Sequence, residues 1–137
     1  MRRWTAFTSG LALYAAVIAG GIFGSLMRWV VALVLPQTLA DLPWPTLFAN
    51  IGGCFIIGFF AALTAPDGRL FAGPRTRQFV MTGLCGGYTT FSTFSLEALH
   101  LFADGHLRRA VAYIVVSLVS WFIAVWFGDA LAERLNR

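Results

Sequence analysis

A helix needs about 20 mainly apolar residues to cross the hydrocarbon of a bilayer. Four stretches of about that length follow one another along this chain, with only short polar or proline-containing connections between them. They run from about Leu11 to Leu35, Pro45 to Thr64, Phe79 to Ala103 and Ala110 to Phe127, and the first has a lead-in that reaches back toward Trp4. With 58% hydrophobic and only 12% charged residues in 137, the chain carries more large apolar surface than a soluble fold of this size hides, because small folds bury a limited fraction of their surface. The expected fold is therefore an all-α membrane protein, one unit over residues 1–137 with transmembrane helices near 11–35, 45–64, 79–103 and 110–127. No linker, low-complexity segment or internal repeat divides it. Four helices are few for enclosing an aqueous path, so oligomerisation is expected.

Several function classes fall away at this stage. The net charge of +4 comes from ten arginines distributed over the ends and connections, and they form no basic stripe of the kind that binds nucleic acid. Met1-Arg2-Arg3 resembles the start of a signal peptide, but the apolar run that follows continues to Leu35, far past the length of such a segment. Cys54 and Cys85 sit inside apolar stretches without metal-ligand spacing and read as small packing residues. There is no Gly-x-Ser-x-Gly or His-Glu-x-x-His motif, and His100 and His106 lie near a connection, so an enzyme is not expected.

Function is then sought among the polar groups at membrane depth, since each needs a partner or a water-lined cavity. These are Arg28 in the first stretch, Thr46 and Asn50 in the second, the hydroxyl run with Glu97 in the third, and Tyr113 with Ser117 in the fourth. Residues four apart share a helix face. Thr46 with Asn50, Thr93 with Glu97 and Tyr113 with Ser117 are such pairs, on three different helices. Ser92 and Ser95 alone read as hydroxyls satisfied by their own helix. Phe91 and Phe94 fall together on a second face of the third stretch, and aromatic rings present a positive edge that attracts an anion without the grip of a full charge.

Gly83, Gly86, Gly87 and the threonines after them interrupt that third stretch. A Gly-Gly break ahead of Tyr88-Thr89-Thr90 is expected to release carbonyls and amides, as in the discontinuous helices that bind ions in transport proteins. Thr89 or Thr90 is placed to cap the half-helix that follows. Gly20 and Gly24 have the spacing that lets membrane helices approach closely, which reads as packing. On the residues alone, the chain offers a pathway for an ion or a small polar solute.

The segment Gly83-Leu84-Cys85-Gly86-Gly87-Tyr88-Thr89-Thr90-Phe91-Ser92-Thr93-Phe94-Ser95-Leu96-Glu97 resembles the third-helix signature of the bacterial Fluc (CrcB-type) fluoride channels. Gly20-Gly21-Ile22-Phe23-Gly24-Ser25-Leu26-Met27-Arg28-Trp29 is similar to the first-helix motif of that family, and Thr46-Leu47-Phe48-Ala49-Asn50-Ile51-Gly52-Gly53 to its second. The resemblance implies a multi-pass protein of the bacterial inner membrane, a dual-topology antiparallel homodimer with two fluoride pores and a structural sodium ion between the subunits. It implies pore phenylalanines at Phe91 and Phe94, an amide offered to fluoride by Asn50, and a polar track of Thr46, Ser92, Thr93, Glu97, Tyr113 and Ser117. Carbonyls of Gly86 and Thr89 would bind the sodium, and Arg28 would stand near the vestibule or the dimer interface.

Two features depart from the family pattern. Pro45 stands where members usually have glycine, which bears on how the second helix is entered. Arginines are also unevenly shared. The side with both termini and the second loop would hold Arg2, Arg3, Arg69, Arg75, Arg77, Arg134 and Arg137, and the other Arg108 and Arg109, with Arg28 near it. Antiparallel insertion of one sequence needs little such bias, so a heterodimer with an oppositely oriented paralogue is the alternative to the homodimer. A proton-coupled drug exporter of similar size would need a carboxylate deep in its first helix, and Leu11 to Leu35 has none. A non-transporting scaffold would leave Asn50, Glu97 and the broken helix without purpose.

Overall fold

The fold was determined as a computed structural model that describes residues 2–35 and 42–137, with side chains described from residue 10 onward. It is all-helical. In chain order come α1 (Arg2–Val34), α2 (Trp44–Leu63), the short α3 (Pro74–Arg77), a π-helical segment (Gln78–Leu84), α4 (Cys85–Tyr88), α5 (Phe91–Ala103) and α6 (Leu107–Asn136). Among the described residues three helices are long and apolar enough to cross a membrane, over Gly10–Val34, Trp44–Leu63 and Leu107–Asn136. The third apolar stretch is instead a chain of shorter pieces from Pro74 to Ala103.

The interruption does not fall where the glycines suggested. Gly86 and Gly87 stay helical within α4, and the chain turns extended two residues later, at Thr89 (φ −85°, ψ 161°) and Thr90 (φ −153°, ψ 121°). The glycines serve a close approach instead. A Cβ on Gly87 would come within 3.0 Å of the Gly21 Cα, and one on Gly83 within 2.8 Å of the Gly20 Cα. Helix α1 thus lies backbone to backbone on the π-helical segment and α4, as small-residue membrane packing allows. The Cys85 amide donates to the Val80 carbonyl five residues back, the extra residue per turn that defines a π-bulge.

Helix α6 packs along α2 in the same manner, where a Cβ on Gly58 would meet the Val125 backbone and one on Gly128 the Phe55 and Phe59 backbone. It also runs past Phe127, because Ala130 to Leu135 are strong helix formers. The end of α2 is closed by side chains. Arg77 donates from Nη1 to the Thr64 carbonyl (2.7 Å) and hydroxyl (2.5 Å), and Asn136 donates from Nδ2 to the Ala62 carbonyl (2.9 Å). Pro45 sits in the first turn of α2, where a missing N–H leaves nothing unpaired, so the helix entry tolerates it.

The buried centre is small, built on Leu47, Phe94, Ala98 and Tyr113. Large apolar side chains point outward, among them Tyr14 (71% exposed), Phe122 (75%) and Trp126 (68%). Such a surface is sustained by lipid or by another subunit rather than by water. The side chains of Arg2 and Arg3, invoked for the charge asymmetry, lie outside the described residues.

Candidate functional site

Thr90 caps α5. Its extended backbone turns the hydroxyl back over the helix start, where it accepts the Thr93 amide (3.2 Å) and donates to the Thr93 hydroxyl (3.1 Å). Asn50, 4% exposed on α2, fixes the backbone of the same residue from across the fold. Its Nδ2 donates to the Thr90 carbonyl (3.0 Å) and its Oδ1 accepts the Thr90 amide (2.7 Å). The break is therefore stapled by a side chain rather than left open, with one Asn50 amide N–H outside that bidentate contact.

These bonds have a consequence four residues back. In a continuous helix the Thr90 amide would donate to Gly86 and the Thr93 amide to Thr89. Both amides are engaged elsewhere, so the Gly86 and Thr89 carbonyls lose their helical donors. The Thr89 hydroxyl donates to the Cys85 carbonyl at 2.8 Å, leaving its own carbonyl out of that bond.

Glu97, one turn beyond Thr93 on α5, is the point where three helices meet. One carboxylate oxygen accepts from the Thr46 hydroxyl of α2 (2.7 Å), the other from the Tyr113 hydroxyl of α6 (2.6 Å). Thr46 is 6% and Tyr113 1% exposed. Removing these donors from water is offset by the two hydrogen bonds they make to the Glu97 carboxyl group. A cleft of about 290 Å³ opens on this group, with Arg28 of α1 on its wall beside Ser25, Thr46, Thr93 and Glu97.

Phe91 and Phe94 lie with ring centroids 5.6 Å apart and planes at 49°. Phe94 is wedged between Tyr113 (5.2 Å) and Trp121 (4.9 Å, edge to face at 69°), whereas Phe91 is 69% exposed. A second cleft, also about 290 Å³, has Asn50, Cys54, Cys85, Gly86, Thr89, Thr90, Phe91 and Trp121 among its lining residues. Thr90 borders both clefts. The two cysteines are free and belong to its mostly apolar wall.

The structure thus joins Thr46, Glu97 and Tyr113 in one hydrogen-bonded group, with Phe94 packed on Tyr113, and links Asn50 to Thr93 through Thr90 in a second. Ser92 is exposed and reaches it only through a 3.2 Å hydroxyl contact with Thr90. Ser117 is fully buried one turn beyond Tyr113, but its hydroxyl has no partner among the described residues. A buried polar group left so costs about 1–3 kcal/mol. Two residues were missed. Thr90, considered only as a cap, is the hub of the break, and its capping position three residues before Thr93 was the available signal. Trp121, one turn after Ser117, was signalled by the same four-residue spacing.

Chemically the group offers hydroxyl and amide N–H donors, one carboxylate and aromatic edges at membrane depth, with no cluster of His, Cys, Asp or Glu suited to a metal among the described residues. It suits the passage of an ion. Residues 15–129 match the family described as CrcB-like protein, Camphor Resistance (CrcB). The chain is similar to the Fluoride-specific ion channel FluC 1 of Rhodopseudomonas palustris, with 54% identity over 92% of this chain and 90% of that relative. It also resembles the Fluoride-specific ion channel FluC of Opitutus terrae, 47% identical over 92% of this chain and 96% of the relative. The Fluoride-specific ion channel FluC 3 of Brucella abortus is 43% identical over the full length of both chains.

Proposed function

The chain belongs to the CrcB-like family of multi-pass membrane channels rather than enzymes, and from that membership we propose that it is a fluoride-selective channel through which fluoride leaves the bacterial cytoplasm passively across the inner membrane. The observation that carries the reading is the junction at Glu97, where hydroxyls from α2 and α6 converge on one carboxylate and Tyr113 packs on the Phe94 ring.

Fluoride is small and strongly hydrated, so it gives up water only where many hydrogen-bond donors replace it. The Thr46 and Tyr113 hydroxyls, the Thr93 hydroxyl and the Asn50 amide are such donors. Conduction also requires that each site release the ion. Glu97 favours release, because it competes as a hard oxygen acceptor for the hydroxyls that would turn to fluoride. The edges of Phe91 and Phe94 attract without a formal charge. Arg28 raises the local anion concentration in the cleft without standing on the donor path itself.

The channel in this reading is an antiparallel dimer of four-span subunits with two pores, the broken stretch supplying the fourth crossing. We favour a homodimer over pairing with an oppositely oriented paralogue. The outward Phe91 and the open surroundings of Gly86, where an added Cβ would meet nothing within 4 Å, support a subunit contact along this face. A structural sodium ion at that contact would be held by the Gly86 and Thr89 carbonyls, a fit supported by the loss of their helical amide donors and by the hard oxygen chemistry such an ion prefers. It would supply charge that joins the subunits and takes no part in permeation.

The test is efflux from liposomes containing the purified protein, followed with fluoride- and chloride-selective electrodes. Fluoride release well above that of empty liposomes, with chloride retained, is the expected result. Equal release from loaded and empty liposomes would refute the assignment.

A further inference from the structure

We propose that the loop between α2 and α3 docks on the phospholipid headgroup layer, with Leu70 and Phe71 set into the top of the acyl chains and Arg75 holding a lipid phosphate. The inference needs only the membrane spans and is independent of the ion that the chain transports. Phe71 is 96% exposed and Leu70, beside it, 46%. These two apolar side chains stand between Arg69 and Arg75, which are both exposed. Apolar groups framed by cations in this way suit the boundary between headgroups and acyl chains, where the rings and aliphatic side chains leave water and the charges meet phosphate.

Depth selects lipid as the partner. Helix α2 has 20 residues, about 30 Å at the helical rise, which is the thickness of the hydrocarbon layer. Leu63, its last residue, therefore marks one boundary of that layer. The loop does not run off into solvent from there. The Leu70 amide donates back to the Leu63 carbonyl at 3.2 Å, and the Arg69 amide donates to Asn136 Oδ1 at 3.0 Å. Asn136 in turn donates from Nδ2 to the Ala62 carbonyl at 2.9 Å. Leu70 is thus tied level with the end of the span, and Phe71 follows it directly.

Helix α1 gives the same level independently. A cleft of about 450 Å³ is lined by Leu13 of α1 and by Gly73, Pro74, Arg75 and Thr76. Leu13 lies in the first turn of the apolar span Gly10–Val34, so the cleft opens at the edge of the hydrocarbon. Arginine fits a phosphate there, since its planar fork binds two oxygens at once while its aliphatic stem stays among apolar groups. Arg77 is already engaged by Thr64, which leaves Arg75 as the cation on the cleft wall. Asp67 and Glu133 are exposed at the same end, so the attraction is local to Arg75 and does not come from the charge of that end as a whole.

The test uses the full chain in nanodiscs of phosphatidylcholine and phosphatidylglycerol, with trifluoromethylphenylalanine at position 71. Its fluorine NMR signal is read with a phospholipid carrying a nitroxide near the top of the acyl chain, and separately with a gadolinium chelate in the water. Broadening is expected to be greater from the lipid nitroxide than from the chelate. The reverse order puts Phe71 in water, and broadening by neither puts it against a second copy of the chain; both results overturn the proposal. Native mass spectrometry then reads the phosphate contact as phosphatidylglycerol retained relative to phosphatidylcholine. Arg75→Gln is expected to lower that preference about fivefold, the effect of removing one arginine from an anionic surface. An unchanged preference overturns the assignment of Arg75 to a lipid phosphate.

Discussion

Asn50 and Thr90 hold each other by two opposed hydrogen bonds, side-chain amide to carbonyl at 3.0 Å and backbone amide to side-chain oxygen at 2.7 Å. Forty residues apart in sequence, they replace in one contact the ladder that the broken helix gives up. Asn50→Ala leaves the part-buried N–H and C=O of Thr90 without these partners, at a cost of up to about 1–3 kcal/mol each. Fluoride efflux is expected to fall at least tenfold and the melting temperature in detergent to drop. An Asn50→Ala protein with unaltered efflux and melting would show that the break holds itself.

The Glu97 junction predicts coupling between α2 and α6 through the carboxylate they share. Tyr113→Phe and Thr46→Val each remove one donor from the same carboxylate. Each should slow efflux about tenfold, and the double variant should lose less than the product of the two, because residues in one hydrogen-bonded network are not additive. The full double-mutant cycle on efflux rates checks this. Strict additivity would separate the two hydroxyls.

Phe91 and Phe94 are expected to matter equally for flux and unequally for stability. Phe94 is 6% exposed and packed on Tyr113 and Trp121, whereas Phe91 is 69% exposed. Phe94→Ala should cost about 3–5 kcal/mol as a buried aromatic truncation, and Phe91→Ala far less in the subunit. Isoleucine at either position should depress fluoride flux while dimers persist on size exclusion. Unchanged flux in both isoleucine variants would take the rings out of the mechanism.

Adjacent glycines make a contrast that tests the subunit contact. Gly87→Ala drives a Cβ into the Gly21 backbone and is expected to destabilise the fold by about 1–3 kcal/mol, as overpacking does. Gly86→Ala meets nothing within 4 Å in the subunit. Its expected effect is confined to assembly, seen as a shift toward monomer on size exclusion that deepens when sodium is replaced by a bulkier cation. If Gly86→Ala dimerises normally at low sodium, the proposed ion site is elsewhere.

Orientation addresses the arginine asymmetry directly. A homodimer of antiparallel subunits requires this chain, expressed alone, to insert both ways. Reporter tags on either terminus should then register on both sides of the membrane in comparable amounts. A single orientation leaves only the paired heterodimer.

The sequence made some of this legible for a physical reason. Four-residue spacing placed Thr46, Glu97 and Tyr113 on faces that could meet, and the structure joins them in bonds of 2.6 and 2.7 Å. Spacing within each helix does not carry the rotation of one helix against another, so that Asn50 grips the backbone of Thr90 was not readable. The position of the break was misjudged because Gly86 and Gly87 can serve either a bend or a close approach, and only the neighbouring Gly21 backbone decides between them. The π-helical turn at Gln78–Leu84 has no composition signature at all. Phe91 and Phe94 were paired by their spacing, but that one is wedged and the other bare depends on α6 lying to one side.

The glycine contacts between α1 and the stretch from Gly83 to Gly87 also fix how the subunit carries mechanical load. Backbone meets backbone there, with no rotamer in between to absorb a shift, and α2 meets α6 in the same way. Each pair therefore resists sliding along its own contact, and the two extended residues Thr89 and Thr90 lie where the pairs meet, pinned by Asn50.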